Sequence, residues 1–339
     1  MAELRRDPVI GRWVIISSGQ GLRPADFTRS PAPPGEQKVF CPFDEGSERK
    51  TPPEVFAHRP KGGEPNSPGW TVRVVPNRYP ALRVEGVLRK RGKGMYDVMD
   101  GVGAHEVIIE SPAHKRSLTQ LTNDQVALAL LAARGRLGDL KGDKRFEYGM
   151  LFKNVGPEAG ATIDHVHSQL IVTPIVPRTV RDEMRGGADY HHFRGRCVFC
   201  DMVQQEEADG ERLVVADDNH IAFCPFASRF PLEMWLLPRE HATHFEEASD
   251  TQVHSLATVL RSALSRLEAL AGNVSYNYIV HSTPFREGHI EHYHWHVEII
   301  PRLTPMAGFE WGTGFYMNPL LPEDAAHYLR QAGSKGQIR

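Results

Sequence analysis

The sequence predicts an α+β fold made by duplicating one histidine-triad-like unit, giving two antiparallel sheets, each with a packed helix. Three observations carry this. Short β-branched runs are interleaved with a single capped helical segment in each half of the chain. Four landmarks of the first half recur in the same order in the second. The 339 residues are long for one domain and sufficient for two, each burying its own core.

In the first half, Trp13–Ser17 reads as a strand and the Gly-, Pro- and Ser-rich residues 18–38 as a loop. Cys41-Pro42-Phe43-Asp44 follows, then a surface excursion over 45–70. Residues 71–75 and 106–110 read as strands, the second ended by Ser111-Pro112-Ala113-His114. Thr122-Asn123-Asp124 caps a helix over about 125–137, with Val126, Leu130 and Leu137 at helical spacing. Residues 146–153 form a strand that leads into 160–173.

The second half retraces this order. Cys197-Val198-Phe199-Cys200 stands for Cys41 to Asp44, a tight turn suited to gripping one metal ion. Residues 213–215 and 221–223 are strands, and Glu233 to His241 mirrors Glu106 to His114. Ser249-Asp250 caps a helix over 251–270, residues 275–280 form a strand, and His294-Trp295-His296 mirrors His165 to His167. From the first to the second histidine landmark there are 51 residues (114 to 165) against 53 (241 to 294). The expected units are 1–178 and 190–330, with a helix over 319–328 packing back and a frayed end over 333–339.

Bulk properties exclude several classes. A net charge of −2 with pI near 6.8 points away from nucleic-acid and membrane-surface partners. No apolar run reaches the length of a membrane-spanning helix, and the first residues lack an apolar leader, which points to the cytoplasm. Four cysteines are too few for a disulfide framework and read better as metal ligands.

The chemistry concentrates at His165-x-His167-x-Gln169. On an extended strand, residues i, i+2 and i+4 share a face, so two imidazoles and an amide form a row. A partly unprotonated imidazole is nucleophilic, and an adjacent glutamine can donate to a phosphoryl oxygen. That equipment suits attack on phosphorus with a covalent histidine intermediate. A plain surface histidine pair is the bland alternative.

Two sets have the composition of metal sites. Cys197, Cys200, His241 and His294 make the Cys2His2 mix that tetrahedral zinc prefers. The first-half counterpart is Cys41, Asp44, His114 and His165, where a carboxylate replaces a softer thiolate and predicts weaker binding. A third set, Glu183, His281, His294 and His296, competes for His294, and the intact Cys-x-x-Cys favours the cysteine-containing set. His105, His191, His192, His220, His244, His254 and His289 carry no spacing argument and are expected on the surface or satisfied in the core.

These residues resemble the galactose-1-phosphate uridylyltransferase family, a duplicated branch of the histidine-triad superfamily. The resemblance runs over nearly the whole chain, through Gly11-Arg12-Trp13-Val14, Val75 to Leu82, Asn154, Gly160-Ala161-Thr162, the His165–Gln169 string and His294-Trp295-His296. It implies that His167 is the nucleophile, that Gln169 binds the transferred phosphoryl group, and that His165 ligates zinc with Cys41 and His114. It places the uridine- and phosphate-binding positions on Arg23, Asn77, Asn154 and Thr162, with Arg78 as a further neutralising arginine. A glutamine at 169 goes with transfer to a sugar phosphate rather than to water.

Two departures accompany the resemblance. Asp44 stands where the family's first zinc turn has a cysteine. The Cys197/Cys200 pair and the segment from Gly308 to Asn318 look more like the ADP-glucose phosphorylase branch and some bacterial proteins named as uridylyltransferases, and residues 303–318 contain no lysine to match the one that holds the sugar phosphate in the best-known branch. The implied reaction is ping-pong transfer of UMP from UDP-glucose to hexose 1-phosphate (galactose 1-phosphate) through a nucleotidyl-histidine. A backbone carbonyl would fix the other ring nitrogen of His167, and one or two zinc ions would hold geometry. The alternatives are adenylyl transfer from ADP-glucose to phosphate, and a zinc-stabilised nucleotide-binding protein without turnover. Expected partners are a nucleotide sugar, a sugar 1-phosphate and a second copy of the chain in a homodimer.

Overall fold

The computed structural model describes residues 2–17, 26 and 40–335. Strands β1 (Ala2–Arg6) and β2 (Trp13–Ser17) form an antiparallel pair. Then come β3 (Phe56–His58), β4 (Val72–Pro76), the exposed hairpin β5 (Lys90–Lys93) and β6 (Tyr96–Met99), and β7 (Ala104–Ile109). Helix α1 (Asn123–Lys141) precedes β8 (Tyr148–Val155) and β9 (His167–Thr173). Helices α2 (Arg178–Arg194) and α3 (Val198–Asp209) lead into β10 (Leu213–Ala216), β11 (His220–Phe223) and β12 (Met234–Pro238). Helix α4 (Asp250–Ala271), β13 (Tyr276–His281) and β14 (His296–Pro301) follow. The chain continues through α5 (Gly308–Thr313), β15 (Tyr316–Asn318) and α6 (Pro322–Lys335).

Ten strands run in the order β10-β11-β12-β14-β13-β8-β9-β7-β4-β3, every neighbouring pair antiparallel. Read outward from the centre, β8-β9-β7-β4-β3 and β13-β14-β12-β11-β10 are the same five-strand pattern. The two expected sheets are therefore joined edge to edge through β8 and β13 into one. Merging removes two unpaired strand edges that would otherwise expose backbone N–H and C=O groups.

Helices α1 and α4 pack side by side on one face of this sheet. Thr122 caps α1 by accepting from Gln125 N–H at 3.2 Å, and Ser249 with Gln252 forms a capping box on α4. On α4, Leu256, Leu260, Leu264 and Leu267 recur at helical spacing with at most 1% exposure. Each such burial contributes roughly 1.5–3 kcal/mol, so this face fixes the helix to the sheet. The opposite face of the second unit is covered by Val198, Phe199 and Val203 of α3 together with Val9.

Several expectations are corrected. Cys197-x-x-Cys200 is a helix start rather than a tight turn: Cys197 is the N-cap of α3 and Cys200 lies in its first turn, because Val198 and Phe199 bury against the sheet. The 45–70 excursion contains β3, an edge strand of the sheet, tied down by Glu54 between Arg59 (2.8 Å) and Arg73 (2.7 Å). The tail is helical to Lys335 rather than frayed from 333, since Ala325, Ala326 and Leu329 bury against the core. Helix α2 was not expected. Its Gly186 and Gly187 let it approach backbone so closely that a Cβ there would collide with the carbonyl oxygens of Val9 and His292.

Candidate active site and metal centres

Strand β9 alternates as the motif requires. Ser168, Leu170 and Val172 are buried toward the helices, while His167, Gln169 and Ile171 stay half-buried on the other face. His167 Nδ1 lies 2.6 Å from the carbonyl oxygen of His165, to which it donates. The ring is thereby fixed with Nε2 turned outward, as the family resemblance implies. Phe43 braces it edge-on at 5.2 Å between ring centroids. Burial, followed by the neighbouring Lys153 ammonium, pushes the His167 imidazole down to about 4, so it is neutral near pH 7.

Gln169 sits one pleat further along the same face, its Oε1 2.8 Å from His105 Nε2 and 3.4 Å from Asn77 Nδ2. His105 and Asn77 also line a cavity of about 400 Å3, together with Arg78 and Arg83. Another cavity, of about 780 Å3, is lined by Thr162, Asp164, Arg116 and Ser275. Both are of the size that small-molecule sites occupy. Asn154 stands near the centre of the sheet, where its Oδ1 accepts from Asn277 Nδ2 at 2.8 Å. Gly156, at φ +78°, begins the loop to Thr162, and a Cβ there would strike the Ser275 hydroxyl. Arg23 lies outside the described residues.

Three residues here were missed by the sequence reading. His105, expected on the surface or satisfied in the core, holds Gln169. Lys153, buried beneath the row, reaches Glu110 at 2.6 Å and the carbonyl of His167 at 2.8 Å, while Glu110 also accepts from the Ser168 hydroxyl. Asn277 comes from the second unit. Its partner Arg302 donates to its Oδ1 at 2.7 Å.

The structure brings both four-residue sets together, each with its ligand atoms within 4.8 Å of one another. In the second unit, Cys200 Sγ lies 3.3 Å from His241 Nδ1 and 3.6 Å from His294 Nδ1. A tetrahedral metal with bonds of about 2.1–2.3 Å separates its donors by about 3.4–3.8 Å, so these four could hold one. His241 Nε2 points away and donates to the Ile290 carbonyl at 3.0 Å, the outer-shell bond that orients a ligating imidazole. The Cys200 thiol, ahead of the two imidazoles, favours the Cys197 thiolate and lowers that thiol strongly.

In the first unit, Asp44 Oδ1 lies 3.0 Å from both His114 Nδ1 and His165 Nδ1, and Cys41 Sγ is 3.6 Å from His165 Nδ1. His165 Nε2 donates to the Ser111 carbonyl at 2.8 Å, an outer-shell bond of the kind that His241 makes in the second unit. This set is more open: the side chains of Asp44 and His114 are 37% and 39% exposed.

His294 turns its Nδ1 to the cysteine set, leaving Glu183, His281 and His296 as a separate buried group. His281 Nδ1 is 3.2 Å from Glu183, its Nε2 is 3.6 Å from Glu298, and its ring stacks parallel on His296 at 4.7 Å. Burial opposes a charge on His281, but the two carboxylates outweigh it and lift it to about 10. The same neighbourhood holds Arg229 between Glu233 (2.7 Å) and Glu298 (2.6 Å). His296 occupies the place His167 has in the first unit, with Glu298 where Gln169 stands, and the space beside it shrinks to about 10 Å3.

A duplicated five-strand unit with a His-x-His-x-Gln row on one copy defines the class: a nucleotidyltransferase of histidine-triad type. The family model described as "Domain of unknown function (DUF4921)" matches residues 111–334. ADP-glucose phosphorylase of Arabidopsis thaliana is 35% identical over 335 residues, covering 97% of this chain and 92% of that protein. Galactose-1-phosphate uridylyltransferase of Thermotoga maritima is 26% identical over 340 residues, covering 98% of each. The crystal structure of the Arabidopsis thaliana ADP-glucose phosphorylase with bound ADP-glucose matches at TM-score 0.82 and 31% identity over 98% of both chains. A uridylyltransferase structure matches at TM-score 0.77 and 28% identity over 99% of both. The chain belongs to the family of galactose-1-phosphate uridylyltransferases and their ADP-glucose phosphorylase relatives, within the DUF4921 domain family.

Proposed function

We propose that this chain is an ADP-glucose phosphorylase, transferring AMP from ADP-glucose to inorganic phosphate through a covalent adduct on His167. The 35% identity to an ADP-glucose phosphorylase supports this donor, and the fixed imidazole supports the adduct: with Nδ1 held by the His165 carbonyl, Nε2 is free to attack, and Gln169 stands beside it on the same face. His167 Nε2 attacks the α-phosphorus in line. The P–N bond forms as the bond to the β-phosphate breaks, and glucose 1-phosphate leaves. Phosphate then attacks the same phosphorus, the P–N bond breaks, and ADP is released. The Nδ1–H bond to the carbonyl stabilises the positive charge that the ring gains in the adduct. Gln169, Asn154, Arg78 and the 156–162 loop supply positioning and charge neutralisation, which is most of what phosphoryl transfer requires.

Zinc is the metal whose ligand preferences fit Cys197, Cys200, His241 and His294, with Cys41, Asp44, His114 and His165 as a weaker site. Bound there, it would supply rigidity to the turn that carries His165, two residues before the nucleophile. A homodimer is the proposed working form, with half-exposed Phe309 and largely exposed Trp311 offering an apolar face for it.

The second reading moves UMP from UDP-glucose to galactose 1-phosphate, supported by relatives named galactose-1-phosphate uridylyltransferase that align over most of the chain. Incubation with radiolabelled ADP-glucose or UDP-glucose, followed by alkaline trapping, separates the two. Label from ADP-glucose that phosphate discharges as ADP supports the first reading, and label from UDP-glucose alone supports the second. A protein that binds nucleotide without ever taking label is the non-catalytic alternative.

A further inference from the structure

The amide of Gln169 has a donor end and an acceptor end, and its neighbours decide which one faces the phosphoryl group. The backbone N–H of Ala81 lies 3.2 Å from His105 Nδ1. A main-chain amide can only donate, so Nδ1 presents its lone pair and the neutral ring carries its proton on Nε2. That Nε2–H points at Gln169 Oε1, 2.8 Å away. Asn77 adds a second donor. Its Oδ1 accepts from the Tyr79 N–H at 2.9 Å, which turns its Nδ2 end toward Gln169 Oε1 at 3.4 Å. The 3.1 Å approach of Asn77 Nδ2 to His105 Nε2 brings two donors together on one shared acceptor.

The clamp is held by the sheet. Strands β7 and β9 pair with Val107 opposite Gln169 and His105 opposite Ile171, so His105 is the diagonal neighbour of Gln169 on the same face. The backbone N–H of Asn77 donates to the His105 carbonyl at 2.8 Å, locking the end of β4 against β7.

We propose that His105 is a positioning residue, which by donating to Gln169 Oε1 fixes the glutamine with its NH2 group facing the phosphoryl oxygen. This rests on the reading of His167 as the nucleotidylated residue. Without the clamp the amide is free to rotate and present its carbonyl oxygen, an acceptor, to an anionic substrate. The second unit has lost this device: Glu298 there offers only acceptors and is tied to Arg229 and His281.

The test compares His105→Phe, His105→Gln and wild type by the single-turnover rate of His167 labelling and by equilibrium binding of the nucleotide sugar. Loss of an oriented donor at a developing oxyanion costs about 100- to 1000-fold in rate. Since His105 acts through Gln169, the expected loss in His105→Phe is about 30-fold, with binding within about threefold and an unchanged melting temperature. His105→Gln, which restores a donor, recovers most of the rate. A wild-type labelling rate in His105→Phe overturns the clamp. So does equal impairment of both variants with a lowered melting temperature, which would make the role structural. Nitrogen-15 spectra of the wild-type histidines give a readout independent of turnover: a proton on Nδ1 of His105 overturns the proposal. If wild type takes no label from either ADP-glucose or UDP-glucose, the reading of His167 fails, while the tautomer still decides the clamp.

Discussion

Lys153 and His167 are joined by a 2.8 Å hydrogen bond from the buried ammonium to the backbone carbonyl of the histidine. Lys153 and its partner Glu110 both have side chains only 1% exposed. Burial pushes the lysine below its ordinary value, with Glu110 opposing that shift. Removing one member of such a pair leaves a buried charge unmatched, which costs roughly 3–5 kcal/mol, whereas replacing both by apolar residues is often close to neutral. Lys153→Met is therefore expected to lose about 3–5 kcal/mol in urea unfolding. Glu110→Leu combined with Lys153→Met recovers most of it. Both variants lose the tie to the His167 carbonyl, so labelling of His167 should remain slow in the stable double variant. A double variant that labels at the wild-type rate would reduce the pair to a packing feature.

The two candidate metal sets are expected to differ in how firmly they hold an ion. His241 is half-buried where its counterpart His114 is exposed, and Cys200 stands where the first set has Asp44. Thiolates also bind zinc more strongly than a carboxylate does. Timed treatment with a chelator, followed by metal analysis, should release the first-unit ion well before the second. Asp44→Cys should slow that first release, and Cys200→Ser should remove about one equivalent and lower the melting temperature. Simultaneous release of both ions would contradict the ranking.

The shared face of the proposed catalytic row was legible because a strand's two-residue period displays itself locally in His165-x-His167-x-Gln169, and the duplication because its landmarks keep their order. What surrounds the row was not. His105 matters only through the β7–β9 register and a contact from Ala81, neither of which leaves a spacing in the sequence. Lys153 reads as one more strand residue beside Asn154 until Glu110, 43 positions earlier, is folded beneath it. The union of the sheets was hidden for a similar reason. An edge strand and a central strand share one pattern, and β8 meets β13 across more than a hundred residues. Helix α2 escaped because Val180, Glu183 and Gly187 are its only buried residues, too few for an apolar stripe.

The register between β8 and β13 sets up a dependence of the first unit on the second. Arg302 donates to Asn277 Oδ1, and Asn277 Nδ2 in turn donates to Asn154 Oδ1 and to the Ala159 carbonyl at 3.0 Å. With its Oδ1 so engaged, Asn154 keeps its NH2 group for the substrate oxygen that the proposed function assigns to it. Asn277→Asp removes the donor and sets a carboxylate against Asn154 Oδ1, so Asn154 is expected to turn its amide around. A lost hydrogen bond of this kind is worth about 1–2 kcal/mol, which corresponds to about a tenfold fall in kcat/KM. Steady-state kinetics of Asn277→Asp beside Asn154→Ala checks it: the two single variants and their double should all fall to the same level if the second unit acts through Asn154.

The cluster of His244, Glu246 and Lys141 predicts how stability depends on pH. Glu246 accepts from Lys141 at 2.9 Å and lies 3.1 Å from His244 Nδ1; the Glu246 and His244 side chains are each 2% exposed. Burial raises Glu246, but the hydrogen bonds from His244 and Lys141 outweigh it and hold the carboxyl below its ordinary 4.5. Burial likewise lowers His244, yet its bond to Glu246 prevails and keeps the imidazole above its ordinary 6.5. A lowered carboxyl contributes stability that is present above 4.5 and is lost as pH falls through its folded value. A raised imidazole contributes stability that is present below 6.5 and is lost as pH rises through its folded value. Both contributions are present together between about pH 4.5 and 6.5. Glu246→Gln is expected to lower stability by about 1–3 kcal/mol in that window, and by less as pH rises through the folded value of His244 and the imidazole loses its proton. Urea unfolding of wild type and Glu246→Gln at a series of pH values from 5.5 upward decides this, and a loss that stays constant across the series would remove His244 from the account.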